Sequence, residues 1–336
     1  MNVNELTLKL IDIPSVTGDE RAVGTFLQSH LEALGYSVQL QEVAADRFNV
    51  FATTGAPPRI VLSTHMDTVP PHIASHEDEE RIYGRGACDA KGIIAAQIVA
   101  AERVRAEGIR EIGLLFTVDE EMGSAGAQVA NLDKPAGETK YLINGEPTDN
   151  KLASATKGSL RAQLRTSGRA AHSAYPEHGE SAIEKLLDVL ESIRECEWPA
   201  DDTLGETTCN IGMIGGGTRP NVVPDEAFAV LQFRLVGKGE SVRKILAAAI
   251  AGRAEVEYLS EHEPIHLETV AGFAQCVVRF TTDIPYLSNW GKALLLGPGS
   301  ILNAHTEHEF VEKRELAEAV DIYAGLVRTL AAGAGR

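Results

Sequence analysis

The chain has 336 residues, of which 44% are hydrophobic and 24% charged, so it is long enough to bury a sizeable core in one large domain or two ordinary ones. Its 48 acidic residues outnumber the 31 basic ones, and the net charge of -17 disfavours nucleic acid as a partner because an acidic surface repels phosphate. No apolar run approaches the roughly 20 residues that span a bilayer, so no membrane partner is expected. The N-terminus lacks the pattern of a signal peptide and the four cysteines are scattered, which favours a cytoplasmic protein.

The first third of the chain alternates helical and strand patterns. Apolar residues at helical spacing predict helices over residues 19–34 and 90–107. Short continuous apolar runs predict strands at residues 60–62, 112–118 and 141–143. Such strands, interleaved with helices, are typical of an α/β fold with a mostly parallel mixed sheet and helices on both faces.

The middle of the chain follows a different pattern. After a strand around residues 160–164, in which apolar and polar residues alternate, the predicted order is helix, strand, strand, helix and strand, at residues 180–195, 207–214, 226–235, 240–252 and 255–259. The resulting β-α-β-β-α-β order is that of a ferredoxin-like domain. We therefore expect an inserted α+β domain at residues 155–265.

The last part of the chain returns to the first pattern. An apolar run predicts a buried strand at residues 293–296, and helical spacing predicts a closing helix at residues 312–332. Residues 1–154 and 266–336 are therefore expected to form one catalytic domain around the insertion.

Metal-binding residue types follow four predicted strands of the catalytic domain, at the point where each strand ends. They are His65, Asp119 to Glu121, Glu146 and His305. In open α/β sheets, ligands bind outside the carboxyl ends of the strands, so these clusters are expected to converge on one edge. Asp89 adds a fifth group, in a glycine-bounded loop that opens the alanine-rich helix.

The residue types suit zinc. Two histidines and three carboxylates are too many for one tetrahedral catalytic ion, but they suit two ions that share a bridging carboxylate. Asp89, Glu121 and Glu146 supply three negative charges against four positive ones, and the residual positive charge would favour a bridging hydroxide and an anionic substrate.

Two further carboxylates, each close in sequence to a predicted ligand, are expected to support the metal site without both binding metal. Asp67 lies two residues after His65, on the same face of a strand, and is expected to accept the second ring N–H of that histidine. In the pair Glu120-Glu121, one carboxylate can bind metal while the other acts as general base.

The order of these stretches resembles the zinc-dependent family of acetylornithine deacetylase, succinyl-diaminopimelate desuccinylase, aminoacylase and bacterial glutamate carboxypeptidase. The matching stretches run across nearly the whole chain, at residues 63–70, 83–92, 117–123, 145–148, 168–176 and 304–306. The resemblance implies Glu120 as the general base. It also implies two Zn²⁺ ions, with Co²⁺ or Mn²⁺ as substitutes, the first held by His65 and Glu146, the second by Glu121 and His305, and both by Asp89.

The same resemblance gives the inserted domain the role of a lid through which a homodimer forms. His172 matches a lid histidine that stabilises the oxyanion, and Asn221 and Arg234 match positions that tend to bind a substrate carboxylate. A glutamate at the position of Glu146 goes with deacylases and carboxypeptidases more than with aminopeptidases.

The predicted function is hydrolysis of the amide bond of a small N-acylated amino acid or related metabolite, as in a deacetylase or desuccinylase. A zinc-bridging hydroxide is expected to attack the carbonyl, with Glu120 as general base. One alternative is a dipeptidase or carboxypeptidase, acting on a short peptide, on the same scaffold. Another is a metal-bound binding protein without activity, against which the presence of Glu120 beside a ligand argues.

Overall fold

The computed structural model describes residues 1–132 and 138–333. The chain divides into two compact units: the first unit comprises Met1–Ser154, Leu267–Cys276 and Thr282–Arg336, and the second unit comprises Ala155–His266 and Val277–Thr281. The predicted mixed α/β class is confirmed. None of the helices in the described ranges combines the length and the apolar character needed to cross a membrane.

The helices and strands are numbered in chain order. The helices are α1 (Val3–Ile11), α2 (Arg21–Ala33), α3 (Lys91–Ala106), α4 (Ala125–Ala130), α5 (Ala182–Arg194), α6 (Gly239–Ile250) and α7 (Lys313–Gly333). The strands are β1 (Ser37–Ala44), β2 (Arg47–Thr53), β3 (Ile60–His65), β4 (His76–Glu77), β5 (Arg81–Tyr83), β6 (Ile112–Thr117), β7 (Tyr141–Asn144), β8 (Leu152–Thr156), β9 (Gly158–Ser167), β10 (Ala200–Asp201), β11 (Gly205–Glu206), β12 (Thr208–Gly216), β13 (Glu226–Leu235), β14 (Glu255–His262), β15 (Ile265–His266), β16 (Gln275–Val278), β17 (Lys292–Leu295) and β18 (Phe310–Glu312).

The first unit is built on a six-stranded sheet in the order β1-β2-β6-β3-β7-β17. Strand β3 runs parallel to β6 and β7, and β17 runs parallel to β7, whereas β1 and β2 add an antiparallel edge. The strands β3 and β6 are buried along their whole length, which explains their continuous apolar sequences.

Both faces of this sheet are covered. Alternate strand residues such as Leu62 and Leu114 pack in one core with residues of α1, α2, α3 and α7. Their neighbours Val61 and Leu115 pack on the other face, together with α4 and Trp290. Since β3, β6, β7 and β17 point the same way, the residues that follow them meet at one edge of the sheet.

The first unit also contains a small antiparallel sheet in the order β18-β5-β4. Its strand β5 leads into the loop that carries Asp89, and β18 follows the loop that carries His305. Tyr83 pairs with Phe310 in this sheet, so the two loops begin and end side by side.

The second unit has its own sheet, with antiparallel strands in the order β12-β13-β9-β14. Helices α5 and α6 contribute residues such as Leu186 and Leu246 to a core with Leu164 and Phe233. Together with its helices, this sheet has the β-α-β-β-α-β order predicted from the sequence.

Candidate metal centre

Asp89 lies between two histidines. Its Oδ1 is 2.9 Å from Nε2 of His65, and its Oδ2 is 3.3 Å from Nε2 of His305. The same His305 nitrogen is 3.0 Å from Oε1 of Glu121. One donor atom each from His65, Asp89 and Glu121 lie within 4.8 Å of one another. A carboxylate whose two oxygens face two separate imidazoles has the arrangement that a carboxylate shared by two metal ions requires.

Glu146 completes the set of predicted ligands. It is only 4% exposed, and its Oε1 has no hydrogen-bond partner among the described residues. The charge of Glu146 raises the pKa of His65, and the charge of Asp89 raises the pKa of Glu146, so Glu146 belongs to the same site. A buried carboxylate oxygen without a partner is unfavourable unless a cation or a donor satisfies it. This orphaned oxygen and the donor set of imidazoles and carboxylates both fit a pair of zinc ions.

The site brings several acidic side chains together, and Asp89, Glu121 and Glu146 are largely buried. Burial raises the pKa of Glu120 and of Glu146 well above the ordinary range of a carboxyl group. Burial would also raise the pKa of Asp89, but hydrogen bonds with His305 and His65 lower it. The hydrogen bonds to Asp89 and Glu121 raise the pKa of His305 to about 10. Positive charge is therefore stabilised here, and protons and metal cations compete for the same donor atoms.

Asp67 has a wider role than the predicted contact with His65. The Nδ1 of His65 is 2.9 Å from the main-chain oxygen of Asp67 and 3.4 Å from its Oδ1, so the backbone is the nearer acceptor. The Asp67 carboxylate instead accepts the main-chain N–H groups of Glu120 at 3.1 Å and Glu121 at 3.2 Å. It also accepts the hydroxyl of Thr17 at 2.9 Å. Asp67 therefore holds the loop after β6.

A tight turn after β6 presents Glu120 and Glu121. Asp119 adopts the left-handed conformation with φ of 73°, which aspartate tolerates better than most residues. Its main-chain oxygen accepts the N–H of Gly123 at 3.0 Å, and its carboxylate accepts the guanidinium of Arg47 at 2.8 Å. These contacts give the candidate base and its neighbouring ligand a defined backbone.

The loop that carries Asp89 closes tightly onto α3. A Cβ atom on Gly92 would lie 2.3 Å from the main-chain oxygen of Ala87, so only glycine fits at this close approach. Lys91 is fully buried, and its ammonium donates to the main-chain oxygen of Ile13 at 2.6 Å.

The other predicted site residues, His172, Asn221 and Arg234, belong to the second unit. Nδ1 of His172 accepts the N–H of Ala174 at 3.1 Å, and the main-chain oxygen of Asn221 accepts the N–H of Ser173 at 3.0 Å. Arg234 lies on β13, opposite Ser159. Within the second unit, the structure therefore brings His172 and Asn221 together on adjacent loop segments.

Sequence reasoning missed two buried acids of the first unit. Asp283 is 1% exposed, its Oδ2 accepts the hydroxyl of Thr117 at 2.8 Å, and burial raises its pKa to about 6. Glu309 is also 1% exposed and is hydrogen-bonded to the loop that carries Asp89. Neither acid lies in a sequence pattern that indicates a functional site. Asp283 precedes an Ile-Pro turn, and Glu309 ends a polar run typical of solvated loops.

Comparison with known proteins finds one family whose match covers most of the chain. Residues 61–329 match peptidase family M20/M25/M40. The chain is 39% identical to a probable carboxypeptidase of Emericella nidulans over 368 residues, which cover 95% of this chain and 87% of the relative.

Solved structures agree in fold. A tripeptidase of Staphylococcus aureus superposes with a TM-score of 0.80 at 21% identity, covering 97% of this chain and 98% of that one. A dinuclear metal-binding M20 peptidase of Bacillus subtilis superposes with a TM-score of 0.69 at 15% identity, covering 96% and 95%.

Proposed function

The chain belongs to peptidase family M20/M25/M40 and is a hydrolase of amide bonds, and we propose that it is a dinuclear metal-dependent carboxypeptidase. The observation that carries the proposal is Asp89, whose two oxygens face His65 and His305. The name of the Emericella nidulans relative supports a carboxypeptidase, and the printed description of the Bacillus subtilis peptidase supports two metal ions.

The proposed metals are two Zn²⁺ ions, for which Co²⁺ or Mn²⁺ can substitute. His65 and Glu146 would hold one ion, Glu121 and His305 the other, and Asp89 both. When bound, such ions lower the pKa of a water molecule and polarise a carbonyl oxygen. The Nδ1–H of His65 can donate to the main-chain oxygen of Asp67, which leaves Nε2 as the metal-binding atom.

Glu120 is proposed as the general base. Its carboxylate makes no hydrogen bond with the residues that the structure describes, while its backbone is held by Asp67. It can therefore take a proton from the attacking water and return it to the leaving amine. A ligand and a base on consecutive residues give a hydrolase both functions within one short turn.

His172 is proposed to donate a hydrogen bond to the developing oxyanion. Because its Nδ1 accepts the N–H of Ala174, the neutral ring carries its proton on Nε2. No hydrogen bond to Nε2 is present within residues 1–132 and 138–333. The side chain thus has an available donor of the kind that an oxyanion requires.

Arg234 and Asn221 are proposed to bind the substrate carboxylate. Arg234 is half-buried, yet no carboxylate among the described residues lies within ion-pairing distance of its guanidinium. Burial and the nearby charge of Arg161 lower the pKa of Arg234, so this cation is held where an anion would stabilise it. A carboxylate adjacent to the scissile bond is what carboxypeptidase substrates present.

N-acylated amino acids are the second candidate substrates. They share the feature that Arg234 favours, a carboxylate on the amine side of the amide. The resemblance of the stretch around Glu146 to deacylases as well as carboxypeptidases supports them too. The two functions differ only in whether the acyl group is a peptide or a small acid.

A substrate panel separates these proposals. Purified protein loaded with zinc or cobalt is assayed against N-blocked dipeptides, their C-terminal amides, free di- and tripeptides, and N-acetyl, N-succinyl and N-formyl amino acids. A carboxypeptidase releases the last residue of the N-blocked peptides and leaves the amides intact. Preference for the N-acyl amino acids would establish the deacylase instead. Loss of turnover with a chelator, and its return with metal, excludes an inactive binding protein.

We also propose a homodimer formed through the second unit and a cytoplasmic location. Strand β12 is an edge of its sheet, and its Met213 and Ile214 are 59% and 55% exposed, which supports pairing with another chain. The cysteines of the described residues are free thiols, as expected in a reducing compartment. Light scattering after size exclusion tests the dimer, and a monomeric mass at micromolar concentration would exclude it.

A further inference from the structure

A buried ion pair joins the two loops that carry predicted metal ligands. The Asp89 loop comprises residues 84–90, between β5 and α3, and the His305 loop comprises residues 296–309, between β17 and β18. Arg85 in the first loop donates to Oε2 of Glu309 in the second at 2.6 Å. The two residues are 2% and 1% exposed.

The second oxygen of Glu309 gathers main-chain donors. Its Oε1 accepts the N–H groups of Gly86 at 3.0 Å, Cys88 at 3.2 Å and Asp89 at 3.2 Å. Three N–H groups that converge on one oxygen form a concave anion-binding backbone. The carboxylate of Glu309 thus occupies the position of a bound anion, and the backbone N–H groups of the Asp89 loop converge on it.

The same residue is tied to the loop by its backbone. The main-chain oxygen of Glu309 accepts the N–H of Gly84 at 3.0 Å. His305 lies four residues before Glu309, so the residue that holds the backbone of Asp89 also anchors the loop that supplies His305. A shift of Glu309 would move both ligands relative to each other.

We infer that Glu309, paired with Arg85, is a positioning residue that sets the spacing between Asp89 and His305 and so makes the two metal sites compatible. This inference rests on the proposed dinuclear function. Both oxygens of Glu309 make hydrogen bonds, one with Arg85 and the other with the Asp89 loop, and Glu309 is not among the proposed metal ligands. Stability alone is a weak reason for such a pair, because a buried ion pair is often no more stabilising than apolar residues of similar size.

The test compares three variants with the wild type. E309Q keeps the size of the side chain and one oxygen for the N–H groups but turns an amide towards Arg85. In E309Q the buried cation of Arg85 has no carboxylate partner, which can prevent folding. R85M/E309Q also removes this cation, so the double variant is expected to fold. E312Q is the matched control, because Glu312 lies three residues further on and its side chain is 35% exposed in a surface pair with Arg81.

The readouts are metal affinity by titration, the visible absorption spectrum of the Co²⁺-loaded protein, the unfolding temperature of the apoprotein, and kcat and KM. For E309Q and R85M/E309Q we expect metal affinity about 10- to 100-fold weaker, the range for loss of a residue that orients a ligand. We also expect an altered Co²⁺ spectrum and a lower kcat with little change in KM. E312Q should match the wild type in every readout.

A folded R85M/E309Q protein with wild-type metal affinity and Co²⁺ spectrum would overturn the inference, whatever its unfolding temperature. Weaker affinity and a changed spectrum in that variant, at an unfolding temperature near that of the wild type, would support it. If the wild type itself took up no metal, the proposed function would fail first, and the inference with it.

Discussion

The carboxylate of Asp67 accepts the main-chain N–H of Glu120 at 3.1 Å, although 52 residues separate them along the chain. The hydrogen bond joins the segment after β3 to the turn after β6. The position of the candidate base therefore depends on Asp67, an acid that follows the proposed metal ligand His65 at the end of a neighbouring strand.

D67N should lower kcat by about 10- to 100-fold, as expected when a group that orients catalytic residues is lost. The asparagine side chain has one oxygen to accept N–H groups, whereas the aspartate uses both for Glu120 and Glu121. Steady-state kinetics with the metal content measured in parallel tests this. Unchanged kcat at full metal occupancy would contradict the role.

E120Q should retain two metal ions and lose roughly 10²- to 10⁴-fold in turnover, the usual contribution of a general base. Glutamine keeps the size of the side chain but cannot take a proton from water. Elemental analysis and kcat are the measurements, and E121Q, which alters a proposed ligand, is the comparison expected to lose metal. Near-normal turnover of E120Q would reject the assignment.

D89A should lose metal, because it removes both oxygens between His65 and His305. Elemental analysis after dialysis gives the stoichiometry. D188A, which removes an exposed acid on α5, controls for the change in net charge. Two zinc ions retained by D89A would show that Asp89 does not bridge.

R234M should weaken kcat/KM by roughly 10- to 100-fold for substrates with a free carboxylate, since a hydrogen bond to a charged group is worth about 1.5–3 kcal/mol. The matching C-terminal amides should be unaffected. R165M, an exposed arginine on the adjacent strand β9, is the control. Equal losses for acids and amides would argue against carboxylate binding.

W290A should destabilise the protein by about 3–5 kcal/mol, the usual cost of removing a buried large aromatic side chain. Trp290 is fully buried, contacts Phe51 edge-on at 5.4 Å and donates its indole N–H to the main-chain oxygen of Ala130 at 3.3 Å. Urea unfolding followed by circular dichroism measures the loss, and W290F should lose less. A loss below 1 kcal/mol for W290A would mean that the surroundings collapse around the cavity.

The parts of the fold that local pattern predicted are those with strong periodicity. Strands β3 and β6 are continuous apolar runs because both of their faces are covered, and α5 and α7 have one apolar side each. Strand β1 was missed because most of its residues are exposed or half-buried, as in Gln39 and Leu40, and its pattern is weak. Strands β4, β5 and β18 are too short for any periodicity.

The residues of the site also divide into those that the sequence pattern predicts and those that it does not. The proximity of the proposed ligands was predicted because the strand ends of a parallel sheet converge, a rule that needs only the order of elements. The contacts of Asp67 with Glu120 and of Glu309 with Arg85 depend on how separate loops pack, which no local pattern encodes. The same holds for Asp283, which was found only from its burial beside Thr117.

Strand β17 pairs with β7 in the completed sheet, yet residues 145–291 lie between them in the chain. During synthesis, β7 therefore leaves the ribosome long before its partner and has an unpaired edge that can bind other strands. His305 emerges later still. A nascent chain therefore holds only part of the proposed ligand set until His305 has emerged, and the proposed loading with metal would be one of the last steps in the maturation of this protein.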